Sequence, residues 1–384
     1  MLFLPNIIAI IVSLFYCLLV MNYLKGWGKL KIFIAKKTNV NTKVTIIVSV
    51  RNEQENIETL LTNLTRQNYS KAHFEIIIVD DDSDDETGLK VMNFVNKNRN
   101  NNDRIKLITI KEEYDHNFVA FKKRAIEKGI AASTGEWIVL TDADCTMGEN
   151  WLTTIVSFIE EKEVCFISAP VCFSNEQSFF QKIQSLEFLS LIGIGAASLA
   201  NKNPNMCNGA NIAFRKSVFY EVGGYGGTKH LASGDDEFLM HKVYEKYPSG
   251  VAFLKNRDAI VSTTPFRMWK DFISQRRRWV SKSRKYQRKQ VTATLYFVYI
   301  FHLMILVSGF VTIFNHEFLI PFIILMGVKL ISEFIFVVSV SIFFKKQKYL
   351  AWYLIAGILY VFYVVIIGLL GNIGRYEWKG RRVR

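Results

Sequence analysis

Cysteine and histidine are scarce in this sequence, and neither occurs in a spacing that binds zinc. The cysteines are odd in number and include no C-x-x-C pair; they are Cys17, Cys145, Cys165, Cys172 and Cys207. The six histidines show no zinc spacing either. The pattern therefore excludes the common structural zinc sites, and it gives no framework of paired disulfides.

The amino terminus lacks the features of a cleaved signal peptide. No Lys or Arg precedes the first apolar run, residues 2–24, and no small-residue cleavage site is present. This run carries no charge and is long enough to span a membrane, which takes roughly 20 mostly apolar residues. Lysines are dense just after it, so the positive-inside rule places the following domain in the cytoplasm, where reduced thiols are the default.

Long apolar runs are otherwise confined to the last third of the chain. They are residues 291–314, 318–344 and 349–371. Only Lys329 and Glu333 interrupt them with charge. Together with the first run they predict four membrane spans around a region of ordinary soluble composition, residues 40–265. We therefore predict an integral protein of the plasma (inner) membrane with its soluble domain in the cytoplasm.

Positive charge, +14 in total, is concentrated between Arg267 and Lys289, directly before an apolar run. Nucleic acid would bind such a segment, and so would the pyrophosphate of a ligand. Because an apolar span follows at once, a belt that touches anionic membrane lipid is the better interpretation, and no nucleic-acid partner is predicted. The predicted organisation is a transmembrane helix (1–25), a soluble domain (40–265), a basic juxtamembrane segment (266–290), three membrane segments (291–371) and a basic tail (372–384).

The basic tail conflicts with this number of spans. Three crossings after a cytoplasmic domain would put residues 372–384 outside, whereas the positive-inside rule places basic stretches in the cytoplasm. The basic loop that begins at Lys345 raises the same conflict. We expect three crossings and an external tail, with Lys329 and Glu333 facing other helices, since charges inside a membrane are costly unless they are paired.

Buried strands and amphipathic helices alternate along the soluble region. Runs of β-branched residues predict strands, and apolar residues at helical spacing predict helices between them. The strands are 43–53, 74–81, 104–110, 136–145 and 163–171, and the helices are 56–67, 88–98 and 121–133. This alternation predicts an α/β domain with a parallel-rich sheet flanked by helices. A further apolar helix over 178–200 either lies on the membrane face or is buried in the domain.

Carboxylates cluster where the second strand ends, in the stretch IIIVDDDSDDET. An EF-hand starting at Asp80 would need glycine at its sixth position and glutamate at its twelfth, but Asp85 and Val91 stand there. A solvated turn that caps the next helix explains the later acids, but not Asp80 and Asp81, which end a buried strand. Ligands of parallel sheets bind at such strand ends, so these two acids are candidate site residues.

Three more motifs are candidates for chemistry. Asp142 and Asp144 follow the fourth strand, and residues two apart in an extended chain face the same way, so a divalent cation held by a diphosphate would fit them. Asp235 and Asp236 open a helix, where the helix dipole also favours acids. The sequence QRRRW, residues 275–279, is either a basic belt with an interfacial Trp or part of a site.

The order and spacing of five stretches resemble the membrane-bound family 2 glycosyltransferases, which include cellulose, hyaluronan and poly-N-acetylglucosamine synthases and ceramide glucosyltransferases. The stretches are VSVRNEQENI, EIIIVDDDSDDET, GEWIVLTDADC, GDDEFL and QRRRW. The resemblance covers about residues 43–280 and the flanking membrane segments. It implies a GT-A-type fold with transmembrane α-helices, and the inverting transfer of a sugar from a nucleotide sugar, most simply a UDP-sugar, with Mg²⁺ or Mn²⁺ as cofactor.

The resemblance also assigns roles to residues that bind the donor. Asp80 and Asp81 match the paired acids that recognise the nucleotide base, and Asp81 would accept from the uracil N–H. Asp82 replaces the usual glycine, which puts the local turn geometry in doubt. The remaining donor residues are Arg51, Asn52 and Glu53 beside the base, Lys122 and Arg278 at the diphosphate, and Asp142 and Asp144, which place the metal.

Roles in catalysis and acceptor binding follow from the same resemblance. Asp236 matches the family's catalytic base, which must take a proton from the acceptor hydroxyl, and Asp235 stands where the family usually has glutamate. Trp279 would provide an apolar platform for the acceptor, with Gln275 bonding nearby. The expected partners are a nucleotide-sugar donor, a lipid-linked or glycan acceptor, and membrane lipids.

Two other functions remain open at this point. A processive polysaccharide synthase would need a wide membrane channel, for which four spans are few unless the protein forms a homo-oligomer. A catalytically dead subunit that binds sugar lipids would show losses among the acids, and the sequence shows none. A transferase that adds one sugar to a lipid acceptor fits the small membrane part better.

Overall fold

The computed structural model describes residues 3–35, 41–97, 104–111, 119–282, 285–286, 288–371, 377–378 and 381–382. The chain divides into two compact units. The sheet unit comprises Leu30–Asn175, Ser198–Thr264 and Glu377–Arg384, and the helical unit comprises Met1–Lys29, Glu176–Ala197 and Pro265–Tyr376. Each unit is therefore assembled from separate stretches of the chain.

The strands of the sheet unit are β1 (Val44–Val50), β2 (Phe74–Asp80), β3 (Ile105–Thr109), β4 (Trp137–Leu140), β5 (Thr146–Met147), β6 (Phe166–Ser168), β7 (Val171–Phe173), β8 (Ile212–Arg215), β9 (Val251–Phe253) and β10 (Val261–Thr263). They form a seven-stranded sheet with the order β3-β2-β1-β4-β8-β6-β9 and a three-stranded sheet with the order β5-β10-β7. The first four run parallel, whereas β8 is antiparallel to both of its neighbours. The predicted α/β architecture with a parallel-rich sheet is confirmed.

Helices cover this sheet and also form the second unit. The sheet unit contains α2 (Ile57–Thr65), α3 (Thr87–Lys97), α4 (Phe121–Ala132), α5 (Trp151–Glu161), α7 (Lys216–Glu221) and α8 (Asp235–Lys246). The helical unit contains α1 (Phe3–Lys29), most of α6 (Phe179–Ala200), α9 (Trp269–Ser281), α10 (Lys289–Thr312), α11 (Leu319–Phe344) and α12 (Tyr353–Leu370). The predicted apolar face of α2 is buried throughout, because Ile57, Leu60, Leu61 and Leu64 all face the interior.

The register of the central strands determines where the acids lie. Val50 pairs with Asp80 at the ends of β1 and β2, so Arg51 and Asp81 leave the sheet together at its carboxyl edge. The next strand, β4, pairs in parallel with β1 and ends at Leu140. The acids that follow β2 and β4 therefore belong to one edge, as ligand sites in parallel sheets require.

In the part of the chain that the structure describes, five helices are long and apolar enough to cross a membrane. They are Leu4–Lys29, Phe179–Ala200, Lys289–Thr312, His316–Phe344 and Gln347–Leu370. Four of them correspond to the predicted spans. The fifth is α6, for which 67% of the apolar window is buried, against 22–33% in the other four. Of the two alternatives for this helix, burial against protein is therefore favoured.

The sheet shows that α6 does not cross a membrane by itself. The chain enters α6 after β6 and β7 and leaves it before β8. Because β6 and β8 are hydrogen-bonded neighbours, both ends of α6 lie on the same side of any membrane. A single crossing would place two neighbouring strands of one sheet on opposite sides.

The carboxyl-terminal tail lies on the same side of any membrane as the sheet unit. The expectation of an external tail, opposite the soluble domain, is therefore wrong. A short hairpin, β11 (Glu377–Trp378) and β12 (Arg381–Arg382), belongs to the sheet unit, where Arg381 forms a buried ion pair with Asp81. The chain therefore leaves the sheet unit at residue 264 and returns to it at 377. It crosses a membrane an even number of times between them, so at most two of α10, α11 and α12 cross.

The charges within α11 do face other helices, as expected. The Lys329 side chain is 0% exposed, and its Nζ lies 2.7 Å from Glu333 Oε2 and 3.1 Å from the Gly357 carbonyl oxygen on α12. The Tyr16 hydroxyl on α1 donates to the second Glu333 oxygen. The pair thus joins three helices, with Lys329 fully buried and the Glu333 side chain 19% exposed.

Labelling of single cysteines tests the position of the tail. In a chain whose native cysteines are replaced by serine, we expect a cysteine added after Arg384 and one at the exposed position 71 (Lys71→Cys) to share one accessibility. In sealed vesicles, a membrane-impermeant maleimide added outside should label both cysteines or neither of them. Opposite protection of the two cysteines would contradict the return of the tail to the sheet unit.

Candidate functional site

The loop after β1 and the acids after β2 are locked together by Arg51. This side chain is buried, and its Nη1 donates to the carbonyl oxygen of Asp81 over 2.8 Å, while its Nη2 lies 2.9 Å from Asp84 Oδ2. Asn52 Oδ1 accepts from the Asp84 amide at 2.9 Å, and the Glu53 amide donates to Thr87 Oγ1 at 2.8 Å. The three residues predicted beside the base therefore brace the acidic turn.

The turn itself is formed by Asp80, Asp82 and Ser83. One carboxylate oxygen of Asp80 accepts from the amide of Ser83 at 3.0 Å and from its hydroxyl at 2.6 Å. Asp82 has a φ of +59°, in the left-handed region that favours glycine. The aspartate that replaces the family's glycine thus adopts a backbone conformation suited to glycine, which resolves the doubt about the local geometry.

Asp81 lies between two arginines. Its carboxylate is buried, with Arg124 Nη2 2.9 Å from Oδ1 and Arg381 Nη1 bonded to Oδ2. Arg124 belongs to α4, and Arg381 belongs to β12 near the end of the chain. Neither arginine was predicted from the sequence. The sheet order and α4 bring the first to Asp81, and only the returning tail brings the second.

Lys122 joins two acids that are distant in sequence. Its Nζ donates to Asp142 Oδ1 at 2.7 Å and lies 3.6 Å from Asp235 Oδ2. Burial alone would lower the pKa of Lys122, but the carboxylates of Asp142 and Asp235 outweigh it and raise the pKa above its ordinary value. The lysine therefore stays charged at neutral pH, and three predicted site residues meet at one point.

Asp144 lies on the turn that follows Asp142. Its Oδ2 accepts from Thr263 Oγ1 at 2.9 Å, at the end of β10. The predicted strand 136–145 is too long, because β4 ends at Leu140 and a turn closes from the Cys145 amide to the Asp142 carbonyl oxygen. The expectation that the two carboxylates share one face of an extended strand is therefore wrong. Among the described residues no group of three or more His, Cys, Asp or Glu could hold a metal.

The acids of the GDDEFL stretch open α8. Gly234 precedes them with a φ of +83°, and Asp235 is buried. Asp236 is partly exposed, and its two oxygens accept from the amides of Gly209 and Glu237, each at 2.8 Å. Two backbone amides thus fix the orientation of the Asp236 carboxylate, which is a requirement for a positioned base.

The loop that leads into α8 is held by a buried lysine that the sequence analysis did not single out. Lys123 Nζ donates to three backbone carbonyl oxygens, those of Thr228, Leu231 and Ser233, at 2.8, 3.0 and 3.2 Å. The neighbouring Lys122 contacts acids, whereas Lys123 holds the backbone that presents Asp235. The first turn of α4 therefore contacts both the acids, through Lys122, and the loop that leads into α8, through Lys123.

The QRRRW stretch forms part of α9 and lies in the helical unit, whereas all other predicted site residues lie in the sheet unit. Its buried member is Arg276, which was not predicted; its guanidinium pairs with Glu187 on α6 and lies 4.1 Å from the ring centroid of Trp279. Gln275 Oε1 accepts from Arg276, and Phe188 stacks near Trp279. Arg278 is partly exposed on the same helix.

Removing Arg276 should destabilise the protein strongly. In Arg276→Met, Glu187 would remain buried without its partner, and breaking such a pair costs about 3–5 kcal/mol. Thermal unfolding in detergent should show a large loss, and the double variant Arg276→Met/Glu187→Leu should recover most of it. Lys270→Met, at an exposed position of the same helix, is the control. Wild-type unfolding of Arg276→Met would contradict a stabilising role for the pair.

Comparisons with known proteins identify the family and the fold of this chain. Residues 45–223 match Glycosyl transferase family 2, and residues 137–366, more than half of the chain, match Glycosyl transferase family group 2. The structure resembles that of the mannosyltransferase PcManGT from Pyrobaculum calidifontis in complex with GDP-Man and Mn2+, with a TM-score of 0.58. The two share 19% identity over 94% of this chain and 99% of that one, so the likeness concerns the fold.

Curated relatives match about half of the chain. The poly-beta-1,6-N-acetyl-D-glucosamine synthase of Staphylococcus aureus (strain COL) is 28% identical over 194 residues, which cover 49% of this chain and 44% of that protein. Glycosyltransferase AglE of Haloferax volcanii is 28% identical over 195 residues, 50% of this chain and 58% of that protein. The chain thus spans about half the length of the curated relatives that it matches.

Proposed function

Because this chain belongs to the family 2 glycosyltransferases, we propose that it transfers a sugar with inversion from a UDP-sugar to a lipid-linked acceptor at a membrane. The observation that carries the proposal is the meeting of Lys122, Asp142 and Asp235 beside the oriented carboxylate of Asp236. The sheet unit, which includes most of residues 40–265, is the proposed catalytic domain. We place it on the cytoplasmic side of the plasma membrane, as the lysines after the first span suggest.

Donor recognition is assigned to the acidic turn. Asp81 would accept from the uracil N–H, and Asp80, Arg51, Asn52 and Glu53 would hold the turn in the conformation that presents it. The support is the dense bonding of this turn together with the burial of Asp81. A buried acceptor in a fixed position discriminates between bases better than a solvated one, because its geometry selects a base that presents an N–H at that point.

The residues present fit a divalent cation. Asp142 and Asp144 offer carboxylate oxygens, the ligands that Mg²⁺ and Mn²⁺ prefer, and such ions are commonly bound by one or two carboxylates plus substrate phosphates. When bound, the ion supplies positive charge that stabilises the departing diphosphate. Lys122, which is charged and lies at the Asp142 carboxylate, would add positive charge there, and the role of Arg278 at the diphosphate stays a prediction.

Proton transfer is assigned to Asp236. The acceptor hydroxyl must lose its proton as it attacks the sugar, and a carboxylate within hydrogen-bond reach can take it. The amides of Gly209 and Glu237 keep this carboxylate in one orientation, and Lys123 anchors the loop before it. Asp235 would position Lys122 rather than react. Trp279 and Gln275 are the proposed acceptor residues.

A processive polysaccharide synthase is the second candidate, because several relatives are named poly-beta-1,6-N-acetyl-D-glucosamine synthase. A polymer channel needs several lining helices. With at most two crossings among α10, α11 and α12, and one for α1, the described part of one chain offers at most three crossing helices. A channel would therefore require a homo-oligomer, and the transfer of one sugar to a lipid acceptor is the better supported function.

Product analysis separates these functions. Membranes that contain the protein would be incubated with one radiolabelled UDP-sugar at a time, with GDP-mannose as an additional donor, and lipid products would be extracted into organic solvent. We expect one UDP-sugar to label a lipid of fixed size. A water-soluble product that grows with time would favour the synthase. Labelling by GDP-mannose alone would contradict the assignment of uracil as the nucleotide base of the donor.

A further inference from the structure

Arg381 makes three contacts around the acid that we assign to the nucleotide base. Its Nη1 bonds to Asp81 Oδ2, its Nη2 lies 3.2 Å from the Asp81 carbonyl oxygen, and its guanidinium carbon lies 4.0 Å from the centroid of the Phe121 ring. The side chain is 7% exposed. These contacts hold the planar guanidinium against an aromatic ring while two of its nitrogens reach a carboxylate and a carbonyl oxygen, a fork that lysine lacks.

The two arginines leave Asp81 able to accept further hydrogen bonds. A carboxylate offers about four lone-pair positions on its two oxygens. Arg124 bonds to Oδ1 and Arg381 bonds to Oδ2, so by the lone-pair count each oxygen has the capacity for one more donor, and the side chain itself is 2% exposed. The pair also provides the counter-charge that an ionised carboxylate needs at 1% exposure.

We propose that the carboxyl-terminal hairpin is part of the donor site, and that its Arg381 positions Asp81 for the nucleotide base. The inference rests on the proposed function, since it takes Asp81 to be the group that recognises uracil. Arg381 acts through Asp81 and is therefore a positioning residue. The tail of the chain, which returns to the sheet unit after the last apolar helix, thereby completes a site built from residues 300 positions earlier.

The test compares the affinities of UDP and CDP for the full-length protein in detergent with Mn²⁺. Uracil presents an N–H where cytosine has an acceptor nitrogen. The ratio of the UDP and CDP dissociation constants therefore reports on recognition of the base by Asp81 and not on binding of the diphosphate, which both ligands share. In Arg381→Gln we expect UDP to bind roughly ten- to hundredfold more weakly and the preference for UDP over CDP to shrink. Arg381→Lys should restore the preference only in part, because it returns the charge without the planar fork.

Control variants make each outcome informative. Arg66→Gln removes an arginine from an exposed position at the end of α2 and should leave both affinities unchanged. Asp81→Asn should abolish the preference; if it does not, the assignment of Asp81 to the base fails. If Asp81→Asn does abolish it while Arg381→Gln matches Arg66→Gln, only the role of Arg381 fails. Tighter UDP binding by Arg381→Gln would show that the arginine competes with the base, which also overturns the proposal.

Discussion

Asp236→Asn is expected to lower kcat by about 10²–10⁴-fold, the contribution typical of a general base, with little change in the affinity for UDP. Asparagine keeps the size of the side chain, and its oxygen can still accept from one of the two amides that hold Asp236, those of Gly209 and Glu237. It cannot take a proton from the acceptor hydroxyl. Transfer rates and UDP dissociation constants measured on one preparation of full-length protein would separate the two effects.

The control for this substitution is Asp258→Asn, which removes an exposed acid from the same unit. It should leave transfer unchanged. Asp235→Asn should act differently from Asp236→Asn, because it takes a carboxylate from Lys122 and should weaken donor binding as well. A nearly normal rate in Asp236→Asn together with an inactive Asp235→Asn would move the role of the base to Asp235.

Chelation is expected to reduce transfer to background, and Asp144→Ala should raise the Mn²⁺ concentration needed for half-maximal rate. Asp142 and Asp144 are the two carboxylates that we propose as ligands, so removing one should weaken retention of the ion strongly. Asp142→Ala should have an additional effect, because it also releases Lys122. Titration of chelated enzyme with Mn²⁺ gives these values directly.

Thr263→Val is the matched control for the metal site. It removes the hydroxyl that donates to Asp144 but keeps the carboxylate, so it should shift the Mn²⁺ requirement less than Asp144→Ala does. Full activity of the wild-type enzyme in excess EDTA would exclude an essential divalent ion. The diphosphate charge would then have to be stabilised by Lys122 without a metal.

Local sequence was sufficient for the features whose physical signals are local. The β-branched runs of β1 and β2 predict strands buried on both faces, and both strands are buried along almost their whole length. The spacing from Ile57 to Leu64 predicts the buried face of α2. Acids that follow such strands must lie at the carboxyl edge of the sheet, so their neighbourhood could be predicted before any contact was known.

Features that depend on tertiary contacts could not be predicted in the same way. The extended conformation predicted around Asp142 was wrong, because apolar residues identify a strand but not the residue at which the strand ends and a turn begins. Two adjacent lysines look equivalent in sequence, yet Lys122 pairs with acids and Lys123 with backbone carbonyls. The position of Arg381 depends on a contact across 300 residues, which no local window contains.

The number of membrane crossings shows how such a contact corrects a rule. Counting apolar runs gave three crossings after the soluble domain and an external tail. The positive-inside rule favoured a tail on the side of the soluble domain, and the Arg381–Asp81 pair places the tail with the sheet unit. Hydropathy identifies helices that are able to cross, but only the return of the chain to the sheet unit limits how many of them do.

The configuration of the new glycosidic bond tests most directly the claim that this chain carries out a single displacement with Asp236 as base. Detergent-purified full-length protein would be given the UDP-sugar that labels its product, in which the sugar is α-linked, and the product would be examined by proton NMR. A β-linked sugar, absent when Asp236→Asn is used, is the predicted result. An α-linked product would contradict it, because retention requires a different mechanism from direct attack by the acceptor.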